Sequence, residues 1–261
     1  MGNMKRRPTL PAALCALTAA LGVLAGLAPA AASAQTVKLG QTTTPLVAPR
    51  CVKGDTLANC KIVLTRTTGL EATSDGVINP TRVNREGWIV SFTVGLSRLV
   101  GQASKRKQII KGLNGQYGGA PALALAVLKP GPNNTFTLVE QSATYPLQPY
   151  LGQLIEQPLS VPPKFSSFTA LHVIRGEVIG LTVPTWAPVL SYGLSTSQFA
   201  YRQSRRANCN NPAAAQTAQT KTGETGTYRC YYTGTRMQYS ATEITNTGTP
   251  SASELQTLGT R

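Results

Sequence analysis

The sequence contains a single histidine, His172, in 261 residues. A serine hydrolase needs a base beside its nucleophile and a third group that orients the base. His172 lies in the strand-like stretch FTALHVI, and the chain has no G-x-S-x-G motif. We therefore expect His172 to be an ordinary strand residue, and we do not expect an enzyme of this type.

Acidic residues are also scarce, with 10 Asp and Glu against 25 Lys and Arg. The chain has no closely spaced carboxylates of the kind that bind calcium and no cysteine pair with the C-x-x-C spacing of a zinc site. It also lacks a Gly-rich phosphate-binding motif. The sequence thus predicts no metal site and no cofactor.

Glu140 and Glu156 are the two acids that fall near strands predicted to be neighbours. Glycoside hydrolysis requires two carboxylates placed on either side of the scissile bond. A glycan-active enzyme that uses this pair is therefore an alternative, less favoured than a protein without catalytic activity.

Only one long apolar run is present, and it lies at the amino terminus. Lys5, Arg6 and Arg7 precede a run of mostly Ala and Leu that ends in Ala-Ser-Ala at residues 32–34. This layout is typical of a secretory signal peptide. We expect cleavage after residue 34, which gives a secreted or cell-surface protein without a transmembrane segment. Loss of the three basic residues lowers the formal net charge of +15 to +12, and a charge of this size favours association with polyanions.

Four cysteines remain after removal of the signal peptide: Cys51, Cys60, Cys209 and Cys230. An even number of cysteines in an exported chain predicts disulfide bonds. Three pairings are possible, and closure of the shortest loops favours Cys51–Cys60 and Cys209–Cys230. The stretch between the last two cysteines is almost entirely small or polar. Because such residues bury too little to offset their ordering entropy, we expect the disulfide to hold the ends while the middle stays loose.

Short β-rich segments separated by turn signals fill residues 51–245. Apolar residues alternate in WIVSFTVGL (88–96), where Trp88, Val90, Phe92 and Val94 share one face, and the pattern recurs in ALALAVL (122–128). A period of two indicates strands with one buried face. We predict a single all-β domain, a jelly-roll-like β-sandwich with two local disulfides, with an immunoglobulin-like sandwich as the alternative.

The flanks of this domain have a different composition. Residues 35–50 are rich in Thr, Gln and Pro and predict a flexible lead-in. Residues 246–261 are mostly small and polar and predict a flexible tail. Outside the signal peptide, SKRKQIIKGL (104–113) is the one stretch with helical potential.

Three segments together carry a resemblance: LALAVLKPGPNNTFTLVEQS (123–142), LSVPPK followed by GEVIGLTVPTWAPVL (176–190), and a closing NCNN…TYRCYYTGTRMQYSAT. They resemble a group of secreted β-sandwich proteins of high-GC bacteria, over roughly residues 60–245. The resemblance implies the fold and the exported location, and it implies no activity. The segment QASKRKQIIKGLNGQYGG (102–119) departs from the group because it is longer and more basic.

Two sets of residues are candidates for ligand binding. Lys105, Arg106 and Lys107 cluster on a presumed loop and could contact phosphate or carboxylate groups. Trp186, in VPTWAP, and Tyr192 could stack on sugar rings, because rigid aromatic side chains offer large contact areas. The alternatives without ligand binding are a solvated basic loop and aromatic side chains that pack in the core.

We therefore expect a non-catalytic, exported binding protein whose partner is a polysaccharide or another anionic polymer of the cell envelope. No recognised nucleic-acid motif accompanies the positive charge, so we do not expect specific binding of nucleic acid. The alternative is a structural or protein-interaction module of the envelope that uses a sheet edge or the basic loop.

Overall fold

The computed structural model of the protein describes residues 35–53, 60–158, 170–207, 209 and 216–245. The predicted signal peptide (1–34) and the predicted flexible tail (246–261) lie outside the described residues. Within the described part, regular structure consists of strands and one α-helix, with two short 3₁₀ turns. The helix is α1 (Ala103–Tyr117), and the strands are β1 (Gln35–Leu39), β2 (Leu64–Ser74), β3 (Val77–Ile78), β4 (Gly87–Gly95), β5 (Ala122–Pro130), β6 (Thr135–Gln141), β7 (Tyr145–Pro146), β8 (Leu154–Pro158), β9 (Leu171–Val173), β10 (Val178–Ala187), β11 (Leu190–Tyr192), β12 (Ala200–Gln203), β13 (Thr225–Thr227), β14 (Cys230–Thr233), β15 (Thr235–Met237) and β16 (Tyr239–Thr245).

Two antiparallel sheets form the layers of the domain. The smaller sheet has the order β1-β16-β4-β8, with β9 also paired to β4. The larger sheet has the order β13-β6-β5-β10-β2-β12-β14, with β3 paired to β2 and β7 paired to β5. Phe92 and Val94 from the smaller sheet share one core with Leu125 and Leu181 from the larger sheet. The predicted all-β sandwich is confirmed.

The alternation of apolar residues is confirmed in β5 and is interrupted in β4. Leu123, Leu125 and Val127 all lie in the main core, as predicted. In β4, a bulge opposite the step from Thr242 to Glu243 shifts the register. Ile89 therefore joins the main core, while the outer face of the smaller sheet carries a separate cluster of Trp88, Val90, Ala170 and Ile244. A bulge adds one residue to one strand, so the side chains before it change faces.

The predicted flexible lead-in is wrong for residues 35–47. β1 pairs with β16 along its whole length, from Gln35 opposite Thr245 to Leu39 opposite Ala241. Beyond the strand, the backbone N–H of Thr44 donates to the Asp75 carboxylate (2.7 Å). Pairing with a neighbouring strand supplies the stabilisation that the composition of this segment does not suggest.

Both local disulfides are present. Cys51 bonds to Cys60, and Cys209 bonds to Cys230. The pairing favoured by loop length is therefore confirmed.

Residues 216–229 of the polar stretch before Cys230 are bonded to the larger sheet, which corrects the expectation of a loose middle for this part, and residues 210–215 lie outside the described residues. Thr217 forms an isolated bridge with Thr67, and Gln219 is buried on the outer face of the larger sheet. The Gln219 side chain donates to the carbonyl oxygens of Phe136 (2.9 Å) and Glu224 (2.6 Å) and accepts from the Tyr228 hydroxyl (2.5 Å). A fully bonded amide thus replaces apolar packing as the anchor of this segment.

Candidate functional site: a basic groove at one end of the sandwich

Trp186 is fully buried, so the predicted stacking surface is not available. Its relative exposure is 0%. The indole Nε1 donates to Asn114 Oδ1 (2.9 Å) and to the Gly119 carbonyl oxygen (3.2 Å), both at the carboxyl-terminal end of α1. Trp186 is therefore an anchor for the helix, the packing alternative that the sequence had left open.

Tyr192 lies in β11, where it pairs with Thr235 in the two-stranded sheet. Its ring is half-buried, and its buried hydroxyl oxygen has no hydrogen-bond partner among the described residues. Among the described residues, Trp186 and Tyr192 make no ring contact with each other. The structure does not bring the two predicted aromatic contacts together.

The basic cluster at residues 105–107 lies in the first turns of α1 rather than in a loop. Arg106 is committed to the fold, because its Nη1 donates to the carbonyl oxygens of Val100 (3.0 Å) and Gly101 (3.2 Å). Lys105 and Lys107 are exposed, and neither forms an ion pair with a described residue. This part of α1 is a solvated basic surface with one structural arginine.

A groove of about 350 Å³ lies elsewhere, at one end of the larger sheet. The loop before β4, the β5–β6 turn and the β9–β10 turn meet there. Backbone contacts join the loop before β4 to the β9–β10 turn. Val83 N donates to Glu177 O (2.8 Å), and Arg82 forms an isolated antiparallel β-bridge with Val178. The lining residues are Asn79, Arg82, Lys129, Pro130, Phe136, Ile174, Arg175, Gly176, Glu177 and Val178.

Three cations surround this groove, one from each of the three segments. Arg82, Lys129 and Arg175 are all exposed. None of the three side chains forms an ion pair or a side-chain hydrogen bond with another described residue. Cations of like charge held near one cleft create a positive potential that attracts anions.

One carboxylate, that of Glu177, also lines the groove, and one of its two oxygens already accepts a hydrogen bond from the backbone. Glu177 is buried, and its Oε2 accepts a hydrogen bond from the backbone N–H of Ile174 (2.9 Å) within the β9–β10 turn. Gly176, between Arg175 and Glu177, has a φ of +99°, a conformation that favours glycine. The turn therefore fixes Glu177 inward and leaves Arg175 exposed.

The groove has an apolar wall as well as its charges. Phe136 is half-buried and contacts Tyr228 edge to face, with 4.7 Å between ring centroids. Pro130 and Ile174 also line this wall. Apolar walls with a few polar groups are the usual composition of ligand sites.

Sequence reasoning missed this groove because its cations are far apart in the chain. Each of Arg82, Lys129 and Arg175 is an isolated basic residue, whereas the conspicuous run at residues 105–107 lies on α1. The one available signal was that all three follow or precede turn residues between predicted strands. Turns at the same end of a sandwich converge in space.

The two carboxylates of the glycosidase alternative lie in different sheets, Glu140 in β6 of the larger sheet and Glu156 in β8 of the smaller sheet. Glu156 is on its outer face, where Oε1 accepts from the Ser91 hydroxyl (2.9 Å) and lies 3.7 Å from Lys38 Nζ. Glu140 pairs with the core residue Val127. Burial raises the pKa of Glu140, opposed by a hydrogen bond from the His172 backbone. Neither acid lines the basic groove.

His172 is a half-buried strand residue, as expected. Its Nε2 lies 3.1 Å from Glu86 Oε1, and its ring packs against Trp88 with 5.0 Å between centroids. No described serine or cysteine is hydrogen-bonded to the imidazole.

Two further carboxylates are buried inside the sandwich. Burial raises the pKa of Glu71 well above its usual range, opposed by the Met237 backbone N–H and the Arg236 guanidinium. Burial raises the pKa of Glu243 to about 7, and Glu243 Oε1 has no hydrogen-bond partner in the part of the chain that the structure describes. Both lie within the packed layers rather than in the groove.

Within the described ranges, no group of three or more His, Cys, Asp and Glu side chains is arranged to hold a metal ion. The same ranges contain no helix that is long and apolar enough to span a bilayer. Comparison with protein-family models, with curated proteins and with solved structures found no match.

Proposed function

We propose that this chain is an exported, non-catalytic binding protein whose basic groove holds the carboxylate or phosphate groups of an acidic polysaccharide of the cell envelope. The observation that supports it is the convergence of Arg82, Lys129 and Arg175, none of them paired with a described residue, on one groove of about 350 Å³.

The chemistry of the groove matches an acidic sugar better than a neutral one. Arginine donates two parallel hydrogen bonds to a carboxylate or phosphate, and two of the three cations are arginines. The apolar side of a pyranose ring can pack on Phe136 and Pro130 while its charged substituent faces the cations. A repeating polymer presents such groups in series, which suits a groove that is open to solvent.

The test measures binding to immobilised polygalacturonate, with dextran as the neutral control. The variant Arg82→Ala/Lys129→Ala/Arg175→Ala removes the three groove cations. We expect its affinity for polygalacturonate to fall about tenfold or more, because charge-assisted contacts are lost, and we expect no retention of either protein on dextran. Raising the salt concentration should weaken binding of the unmodified protein.

The matched control is Lys105→Ala/Lys107→Ala/Lys111→Ala on α1, which removes the same number of charges. We expect its affinity to change by less than about threefold, because these three lysines lie outside the groove and their exposed charges act on the polymer only through attraction that salt screens. Equal loss in the two variants would mean that binding follows net charge and not the groove. Equal retention on dextran and polygalacturonate would also contradict the proposal.

A protein partner is the second candidate, favoured by exposed aliphatic side chains next to the groove. Ile78 is 74% exposed and Ile174 is 44% exposed. Exposed apolar patches often mark interaction sites. Co-purification of an envelope protein that is lost in Ile78→Ser and retained in the groove triple variant would favour this candidate.

A further inference from the structure

A second groove, of about 360 Å³, lies between α1 and the residues that lead into β2. Its walls are the helix, the residues that lead into β2, and the Cys51–Cys60 disulfide. The volume is within the range of small-molecule sites, about 300–1,000 Å³. Residues 54–59, between the two cysteines, lie outside the described residues.

The walls of this groove are mainly apolar. Ile109, Leu113 and Tyr117 recur every four residues and so share one face of α1. No residue of the helix is fully buried. This face therefore contacts the sheet incompletely and leaves apolar side chains beside open space. Ile62, Val63 and Leu99 complete the wall on the other side.

The helix is nevertheless fixed at both ends, so the groove is a stable feature of the fold. Arg106 bonds to the chain before the helix, and Asn114 accepts from the Trp186 indole (2.9 Å). A preformed site lowers the ordering cost of binding.

The charged side chain that lines the groove in the described part of the chain is positive. Lys61 lines the groove, is exposed, and forms no ion pair with a described residue. Arg205 is buried beneath it, with Nη2 donating to the Thr65 carbonyl oxygen (2.7 Å). No acidic residue is among the lining residues in the described part of the chain. Gln116 and Tyr117 add donor groups that have no hydrogen-bond partner among the described residues.

We propose that this groove binds an apolar molecule that carries one carboxylate, the chemistry of a medium-chain fatty acid. The apolar chain packs between the helix face and the residues leading into β2. The carboxylate faces Lys61. The site is separate from the basic groove and does not depend on the proposed function.

The experiment titrates the purified protein with decanoate, below the concentration at which it forms micelles, by isothermal calorimetry. Ile109→Trp fills the groove, and we expect it to weaken decanoate binding about tenfold or more. Ile110→Trp is the matched control, because Ile110 is the next helical residue and does not line the groove. We expect its affinity to stay within about twofold of the unmodified protein, since a side chain at 110 is rotated about 100° around the helix from Ile109 and points away from the groove.

Charge is tested separately with Lys61→Glu, which alters the rim and leaves the apolar walls intact. We expect it to weaken decanoate binding about threefold to tenfold and to leave binding of decanol unchanged. If Ile109→Trp unfolds the helix, as judged by circular dichroism, Leu113→Ser replaces it and should weaken decanoate and decanol alike. Absence of decanoate binding, or equal effects of Ile109→Trp and Ile110→Trp, overturns the proposal.

Discussion

The indole nitrogen of Trp186 lies 2.9 Å from Asn114 Oδ1, and this contact joins the sheet to the only helix of the described chain. The same nitrogen also donates to the Gly119 carbonyl oxygen. The Trp186 side chain, which the sequence suggests as a ligand contact, therefore stabilises the packing of the helix against the sheet. Its loss should affect stability and leave ligand binding intact.

The first prediction concerns this contact. Trp186→Phe keeps a buried aromatic ring but removes the donor, leaving two acceptors without their partner. We expect the free energy of unfolding to fall by about 1–3 kcal/mol, with faster hydrogen exchange in α1, as measured by urea denaturation and mass spectrometry.

Trp88→Phe is the matched control, because Trp88 is half-buried on the outer face of the smaller sheet. We expect it to leave the exchange of α1 amides unchanged. Loss of polysaccharide retention by Trp186→Phe without any loss of stability would restore a ligand role for Trp186.

The second prediction concerns Gln219, which fixes the polar segment to the larger sheet. Gln219→Ala removes three hydrogen bonds and leaves the Tyr228 hydroxyl and the Phe136 and Glu224 carbonyls without this partner. We expect a loss of about 2–4 kcal/mol in the free energy of unfolding, because buried unpaired polar groups are costly. Gln216→Ala serves as the control, since Gln216 is exposed and donates one bond to Pro184 O. Similar losses in the two variants would contradict this role.

The segment that contains Gln219 shows what composition could and could not predict. The strands β5 and β10 follow from alternation, because every second residue faces the same core. The well-defined structure of residues 216–229 does not follow from alternation. It depends on the Gln219 side-chain amide, which donates to carbonyl oxygens in β6 and in the loop before β13. Such long-range polar contacts leave no local pattern in the sequence.

The bulge in β4 and the basic groove also could not be predicted from local sequence patterns. The bulge arises from the pairing of Ile89 with Glu243, so it is a property of two strands and not of one. The groove depends on turns that meet only after the sheets pack. In contrast, loop length favoured the disulfide pairing that the structure shows, because short loops close at the lowest entropic cost.

The third prediction is a pH dependence of stability from Glu243. Burial raises the pKa of Glu243 to about 7, above the ordinary value of 4.5. Because the folded state then binds the proton more tightly than the unfolded state, this contribution to stability is complete below pH 4.5 and is lost as the pH rises towards 7. The upward shift of Glu71 acts in the same direction.

Urea denaturation at pH 5 and pH 8 measures this effect. In Glu243→Gln, the difference in unfolding free energy between the two pH values should shrink by about 2–3 kcal/mol relative to the unmodified protein. Glu156→Gln is the control, because Glu156 is exposed, and we expect it to change the difference by less than about 0.5 kcal/mol. An unchanged difference in Glu243→Gln would contradict an uncharged, buried Glu243.

The fourth prediction concerns processing. Cleavage after residue 34 would leave Gln35 as the first residue, and Gln35 begins β1 opposite Thr245. We expect amino-terminal sequencing of protein from the culture medium to begin at Gln35. Mass spectrometry should find both disulfides formed. Retention of Met1 in the exported protein, or free thiols at the four cysteines, would contradict this expectation.

The central claim is that an acidic polymer binds at the groove lined by Arg82, Lys129 and Arg175. Nuclear magnetic resonance of the isotope-labelled protein, titrated with an oligogalacturonate, tests it most directly because it locates the contact. The account predicts shifts of the Gly176 amide and the Phe136 ring, with no shifts in α1. Shifts confined to residues 103–117, or no shifts at saturating ligand, would contradict it.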